Sequence, residues 1–162
     1  MASHTAVIRI KFMVTIVGRV IYGKKYGRKL GFPTANLDRR DYVRRKLKIK
    51  LGIYAGYAVI GEKTTFPRPS PHHFGYAQGD PELDRMGQEG REHERKAAIV
   101  IGPIDNRGLP KIEAHLLNFK GNLYGKKVIL SLGKYIRSFR EFKNEGELKK
   151  QIQKDIAIIV KL

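Results

Sequence analysis

The sequence predicts a mainly β protein, a small antiparallel barrel with one C-terminal helix. Three observations carry this. Short apolar and β-branched runs recur along the chain, divided by Gly- and Pro-rich turns. Helical spacing is clear only after Asn144. The run Ile53–Ile60 alternates small and large residues, as the tapering interior of a small barrel requires.

Taken in order, residues 1–15 read as an extension running into the first strand, with the barrel domain at 16–162. Val14–Val20 is β-branched and is bounded by Gly18 and Gly23, so it reads as a strand. The segment from Gly18 to Lys24 mimics the opening of a P-loop. Lys25 stands where that motif needs Ser or Thr, and no helical pattern follows, so the motif is rejected. Asp38–Lys50 is densely basic, with Leu47, Ile49 and Leu51 alternating with lysines, the pattern of an exposed strand or loop edge. Ile53–Ile60 is the next strand. Residues 64–96 hold Pro67, Pro69, Pro71 and Pro81 and show no apolar period, so they read as a loop insertion. Its His72, His73 and His93 lack the Cys or carboxylate spacing of a metal site. Ala97–Ile101 reads as a buried strand.

Lys111–Leu117 alternates cleanly, with Ile112, Ala114 and Leu116 on one face and Glu113, His115 and Leu117 on the other. With the turn Gly121–Gly125 and a strand at Lys126–Leu132 it reads as a hairpin. Asn144 followed by Glu147 is a capping-box signal, and Leu148, Ile152, Ile156 and Ile159 continue at helical spacing. That helix packs its apolar stripe on the sheet.

With 162 residues, 41% hydrophobic and 30% charged, the chain suits one soluble domain with one core. No apolar run reaches the length of a membrane span. The chain has no cysteine, so disulfides and thiolate chemistry are excluded. The N-terminus is basic but lacks the apolar core of a signal peptide. A cytoplasmic monomer is the expectation. The net charge of +18 would attract nucleic acid, anionic membrane or nucleotide phosphates without choosing among them.

The chemistry concentrates between Gly23 and Leu37. Gly23, Gly27 and Gly31 allow tight turns, and Lys24, Lys25, Arg28 and Lys29 surround a loop able to offer N–H groups to an anion. Thr34 and Asn36 are two apart, so in an extended segment both point the same way. A hydroxyl and an amide oxygen together suit Mg²⁺, which takes its remaining ligands from water and substrate phosphates. The same residues also serve as ordinary turn formers. Glu113 is either a general base or an exposed carboxylate on a half-solvated strand.

These segments together resemble the riboflavin kinase (flavokinase) family. The resembling pieces are Gly18-Arg19-Val20, then Gly27 through Leu37 with its Pro33-Thr34-Ala35-Asn36, and Gly52-Ile53-Tyr54-Ala55-Gly56. They continue with Ile112 through Leu117, Gly121 through Lys126, and the closing Ile136-Arg137, Phe142, Leu148 and Ile152. The resemblance covers about residues 16 to 160 apart from the insertion. It implies a six-stranded Greek-key barrel that transfers the γ-phosphate of ATP to riboflavin, forming FMN and ADP. It implies Glu113 as the catalytic base and Thr34 and Asn36 as ligands of Mg²⁺, with Zn²⁺ or Mn²⁺ as alternatives. Gly23, Lys24, Gly27, Arg28, Lys29, Thr34 and Tyr124 would bind the nucleotide; Arg137 and Phe142 would lie on the flavin side.

The chain departs from the family pattern in places. Val100-Ile101-Gly102-Pro103-Ile104 replaces the usual Asn-Ile-Gly and Pro-Thr-Phe, and Asn118 and Asn122 stand where Asp is common. The length leaves no room for the adenylyltransferase domain of the bifunctional bacterial enzymes, so FMN is the expected product. Two competing readings remain open. One is a basic nucleic-acid-binding barrel, although no aromatic stacking strip interleaves with the basic residues. The other is a degenerate flavin-binding module without turnover.

Overall fold

Strict alternation of apolar residues builds the wall of a closed barrel. The computed structural model describes residues 14–61 and 94–162. Six strands form it: β1 (Val14–Ile21), β2 (Ala35–Leu37), β3 (Gly52–Ile60), β4 (Glu94–Ile104), β5 (Pro110–Leu116) and β6 (Lys127–Arg137). Their order around the barrel is β1-β2-β5-β4-β3-β6, and every pairing is antiparallel. Among the described residues three helices accompany them: α1 (Tyr26–Lys29), α2 (Arg40–Arg44) and α3 (Glu145–Lys161). Among the described residues no helix is long and apolar enough to cross a membrane.

Inward residues from all six strands fill the barrel, including Ile16, Leu37, Tyr54, Ile99, Ile112 and Leu130. Gly56 lies so close to the Ser131 carbonyl and the Ile99 side chain that a Cβ would collide with both. This is the small position that the alternation in 53–60 anticipates. A second, smaller core lies outside the barrel wall. There Ile156 and Ile159 of α3 pack on Ala55, Ala98 and Leu117. Truncating Ile159 to Ala would cost about 2–5 kcal/mol. Asn144 caps α3 by accepting the Glu147 N–H at 2.9 Å, and Glu147 accepts the Lys143 N–H at 3.3 Å. The predicted N-cap forms, with the reciprocal Glu147 bond reaching Lys143 one residue before the cap.

Three expectations need correction. The hairpin of 111–117 with 126–132 does not form: β5 pairs with β2 and β4, while β6 pairs with β1 and β3. The connection crosses to β1 instead, where Gly125 N–H donates to the Val20 carbonyl and Val20 N–H to the Lys126 carbonyl, each at 2.9 Å. The basic stretch after Asp38, expected as an exposed strand or loop edge, forms no strand, and the loop edge is preceded by an unexpected helix. The stretch forms α2 and then an irregular segment whose Leu47, Ile49 and Leu51 pack against the barrel core. Finally, β4 takes in Glu94–Lys96 from the expected insertion, while β1 begins at Val14, where the sequence places the first strand. Most of that insertion, with His72, His73 and His93, lies outside the described residues.

Asp41 explains why α2 forms. Its carboxylate is buried and accepts from the Val17 N–H at 3.2 Å, from Arg44 at 2.7 Å and from Arg45 at 3.0 Å. Arg45 also reaches the Thr15 carbonyl at 2.8 Å. Burial pushes the Asp41 carboxyl up, but the Arg44, Val17 and Arg45 bonds outweigh it and its pKa ends below the ordinary value.

Candidate active site

The short strand β2 organises the site. Ala35 and Leu37 point into the core, so Asn36 points outward. Asn36 pairs with Ile21 on one side and with Glu113 on the other. Glu113 therefore stands beside Asn36 on the outer surface, between the inward Ile112 and Ala114. Directly paired residues share a face, so the row continues outward through Val100 and Ile53 to Arg137.

The loop before β2 folds back over Asn36. Gly23 lies against the Asn36 amide so closely that a Cβ there would collide with it. Lys25 adopts a left-handed conformation with φ of 56° and leads into the single turn of α1, a helix the sequence pattern does not reveal. Gly27 accepts the Phe32 N–H at 2.8 Å, and its missing side chain makes room for the Phe32 carbonyl and for Thr34. These contacts line a depression with Gly23, Lys25, Arg28, Pro33, Thr34, Asn36 and Tyr124. Five residues expected at the nucleotide or metal end, namely Gly23, Arg28, Thr34, Asn36 and Tyr124, thus meet in one place. Gly27 shapes the loop from behind. Lys24 and Lys29 are exposed and do not line the depression.

Glu113 is half-buried and has no hydrogen-bond or ion-pair partner among the described residues. Burial pushes its carboxyl above the ordinary glutamate value, with Lys111 opposing weakly. A carboxylate that is poorly solvated and unpaired is a stronger base than one in water.

Residues 10–162 match the family model described as riboflavin kinase. The chain belongs to the riboflavin kinase family. It is 30% identical to a bifunctional riboflavin kinase/FMN adenylyltransferase of Buchnera aphidicola, over 91% of this chain and 38% of that protein. It is 31% identical to an RNA-binding riboflavin kinase of Bacillus subtilis, over 92% of this chain and 51% of that one. The chain therefore spans between about a third and about a half of these relatives. Among solved structures, riboflavin kinase from Trypanosoma brucei superposes with a TM-score of 0.57 at 20% identity, covering 91% of this chain and 77% of that one. This last likeness bears on the fold.

Arg137 and Phe142, expected on the flavin side, do not line the depression. Arg137 ends the outward row and is bound by Asp155. Phe142 packs near it, with the guanidinium carbon of Arg140 4.8 Å and that of Arg137 6.0 Å from the ring centroid. The sequence places Lys25 at the loop without a site role; three further contributors, His115, Tyr22 and Asp155, were missed. His115 Nδ1 donates to the Pro33 carbonyl at 2.8 Å, which fixes its tautomer and holds the Thr34 segment. Its shared face with Glu113 was the available signal. Tyr22 stacks on Tyr124 at 4.1 Å, and Lys25 lines the depression. Asp155 lies on the apolar stripe of α3, between Ile152 and Ile159 at helical spacing.

Proposed function

We propose that the protein transfers the γ-phosphoryl group of ATP to the 5′-hydroxyl of riboflavin, forming FMN and ADP. The observation that carries this is the pairing of Asn36 with Glu113, which sets a metal-type ligand beside a half-buried carboxylate that has no partner among the described residues. Phosphoryl transfer asks a protein mainly to position groups and offset charge. Arg28 and Lys25 sit where they can face nucleotide phosphates, and Tyr124 with Tyr22 offers a stacking surface for the base. Thr34 and Asn36 fit a hard cation: both line the depression, both are neutral oxygen donors, and the absence of a Gly23 side chain leaves the amide in place. A bound Mg²⁺, or Mn²⁺ or Zn²⁺ in its place, would neutralise phosphate charge.

Glu113 takes the proton from the riboflavin 5′-hydroxyl as that oxygen bonds to the γ-phosphorus and the bond to the ADP oxygen breaks. The flavin then lies along the outward row, over Val100 and Ile53, with its ring towards Arg137 and Phe142. Three inter-strand steps around the barrel wall separate Glu113 from Arg137. In this reading the enzyme acts as a monomer, since one chain supplies every site residue.

Single-turnover conversion of riboflavin with Mg-ATP tests the proposal. The wild-type protein should form FMN, and Glu113→Gln should be slower by about 10²–10⁴-fold. Absence of FMN with the wild type under ATP and each of the three metals would sink the proposal. Near-normal turnover by Glu113→Gln would remove the base.

A further inference from the structure

We infer that Asp155 of α3 is the positioning residue for the flavin end of the site, acting through Arg137. The inference rests on the proposed riboflavin kinase reading and deepens it. Asp155 is 4% exposed, and both its oxygens are used. Oδ1 accepts from Arg137 Nε at 3.0 Å and from Gln151 Nε2 at 2.8 Å. Oδ2 accepts from Arg137 Nε at 3.0 Å and Nη2 at 2.7 Å. Arg137 Nη1 donates to the Ser138 carbonyl at 3.0 Å, and Gln151 Oε1 accepts from Arg140 at 2.6 Å. With Phe142 beside Arg137 and Arg140, the two expected flavin-side residues belong to one network that is rooted in Asp155.

Packing does not require this carboxylate. α3 is held to the barrel by Ile156 and Ile159 on Ala55, Ala98 and Leu117. Asp155 interrupts that apolar stripe and carries the desolvation cost of a buried charge, for which a well-packed apolar side chain is often an equal or better substitute. What an apolar residue cannot supply is orientation. A guanidinium has five N–H donors. One Nε and one Nη2 donor go to Asp155, and one Nη1 donor goes to Ser138. One donor on each Nη remains for a ligand. The clamp holds that remaining pair at the far end of the row that begins at Glu113. The ligand chemistry it fits is a flat, largely apolar ring whose edge carries hydrogen-bond acceptors.

The test measures steady-state KM for riboflavin and for ATP separately, with the melting temperature of each variant. Asp155→Asn keeps the shape and loses the charge; Arg137→Gln removes the partner. Each should raise the riboflavin KM about tenfold, the worth of one charge-assisted hydrogen bond, and leave the ATP KM within about twofold. The double variant should be no worse than either single one, because the two side chains act as a unit. An unchanged riboflavin KM with a lowered melting temperature would overturn the inference and leave a packing role. So would an equal rise for both substrates, or additive effects in the double variant. If wild type forms no FMN, the functional reading fails by itself. Quenching of riboflavin fluorescence by wild type and Asp155→Asn then decides the role of Asp155: weakening about tenfold supports it, and equal binding or none overturns it.

Discussion

Glu113 and Asp41 are two carboxylates partly or wholly withdrawn from water, and the protein treats them in opposite ways. Asp41 is surrounded by donors: the Val17 N–H, Arg44 and Arg45. Its pKa is lowered although burial acts to raise it. Glu113 has no such partner among the described residues, and burial raises its pKa. The satisfied carboxylate ties α2 to β1 and stabilises the fold. The unsatisfied one retains basicity at a cost to stability, the pattern expected of a reacting group.

The two differ in the sign of their linkage to pH. Asp41 contributes stability above its unfolded pKa, and that contribution is lost as pH falls through the lower folded value. Glu113 costs nothing below its unfolded pKa. Its cost grows as pH rises towards the raised folded value and persists above it. Glu113→Gln should therefore combine the largest loss of activity with an unchanged or slightly raised melting temperature at neutral pH. The wild-type rate should fall on the acid side with a midpoint above the ordinary glutamate value. A melting temperature lowered by several degrees would break the contrast by making Glu113 structural.

Asp41→Ala should lose about 2 kcal/mol in urea unfolding, a moderate figure because Arg44 is largely exposed. Its folded fraction should turn over riboflavin within about twofold of wild type. A large loss of kcat at full folding would show that the α2 clamp reaches the site. Gly23→Ala should lower kcat/KM for ATP by about tenfold, since a misplaced group of about 1 Å is already felt strongly. Its melting temperature should change little, because the displaced Asn36 amide faces the depression rather than the core. An equal loss for both substrates would place Gly23's effect on the fold. The smallest effect is expected of Tyr22→Ala, a two- to threefold rise in ATP KM from one exposed stacking contact. No rise would leave base contact to Tyr124 alone.

The sequence by itself determined much of what depends on near neighbours, though not the short helices α1 and α2. Alternation in β3 and β5 fixes which residues face the core, Asn144 and Glu147 cap α3, and the spacing of Thr34 and Asn36 puts both side chains on one side. Each follows from backbone periodicity or a local hydrogen bond. The tertiary structure alone decided which strands meet. It placed Asn36 beside Glu113, carried the chain after β5 to β1 rather than into a hairpin, and buried Asp41 and Asp155 against distant arginines. A basic stretch looks solvated in sequence because the carboxylate that organises it is one residue among many cations. An aspartate on a helix stripe looks like a flaw in the period until the strand that supplies Arg137 is seen beneath it. Pairing partners in a closed barrel are set by the competition of every edge for hydrogen bonds, and no local pattern records how that competition ends.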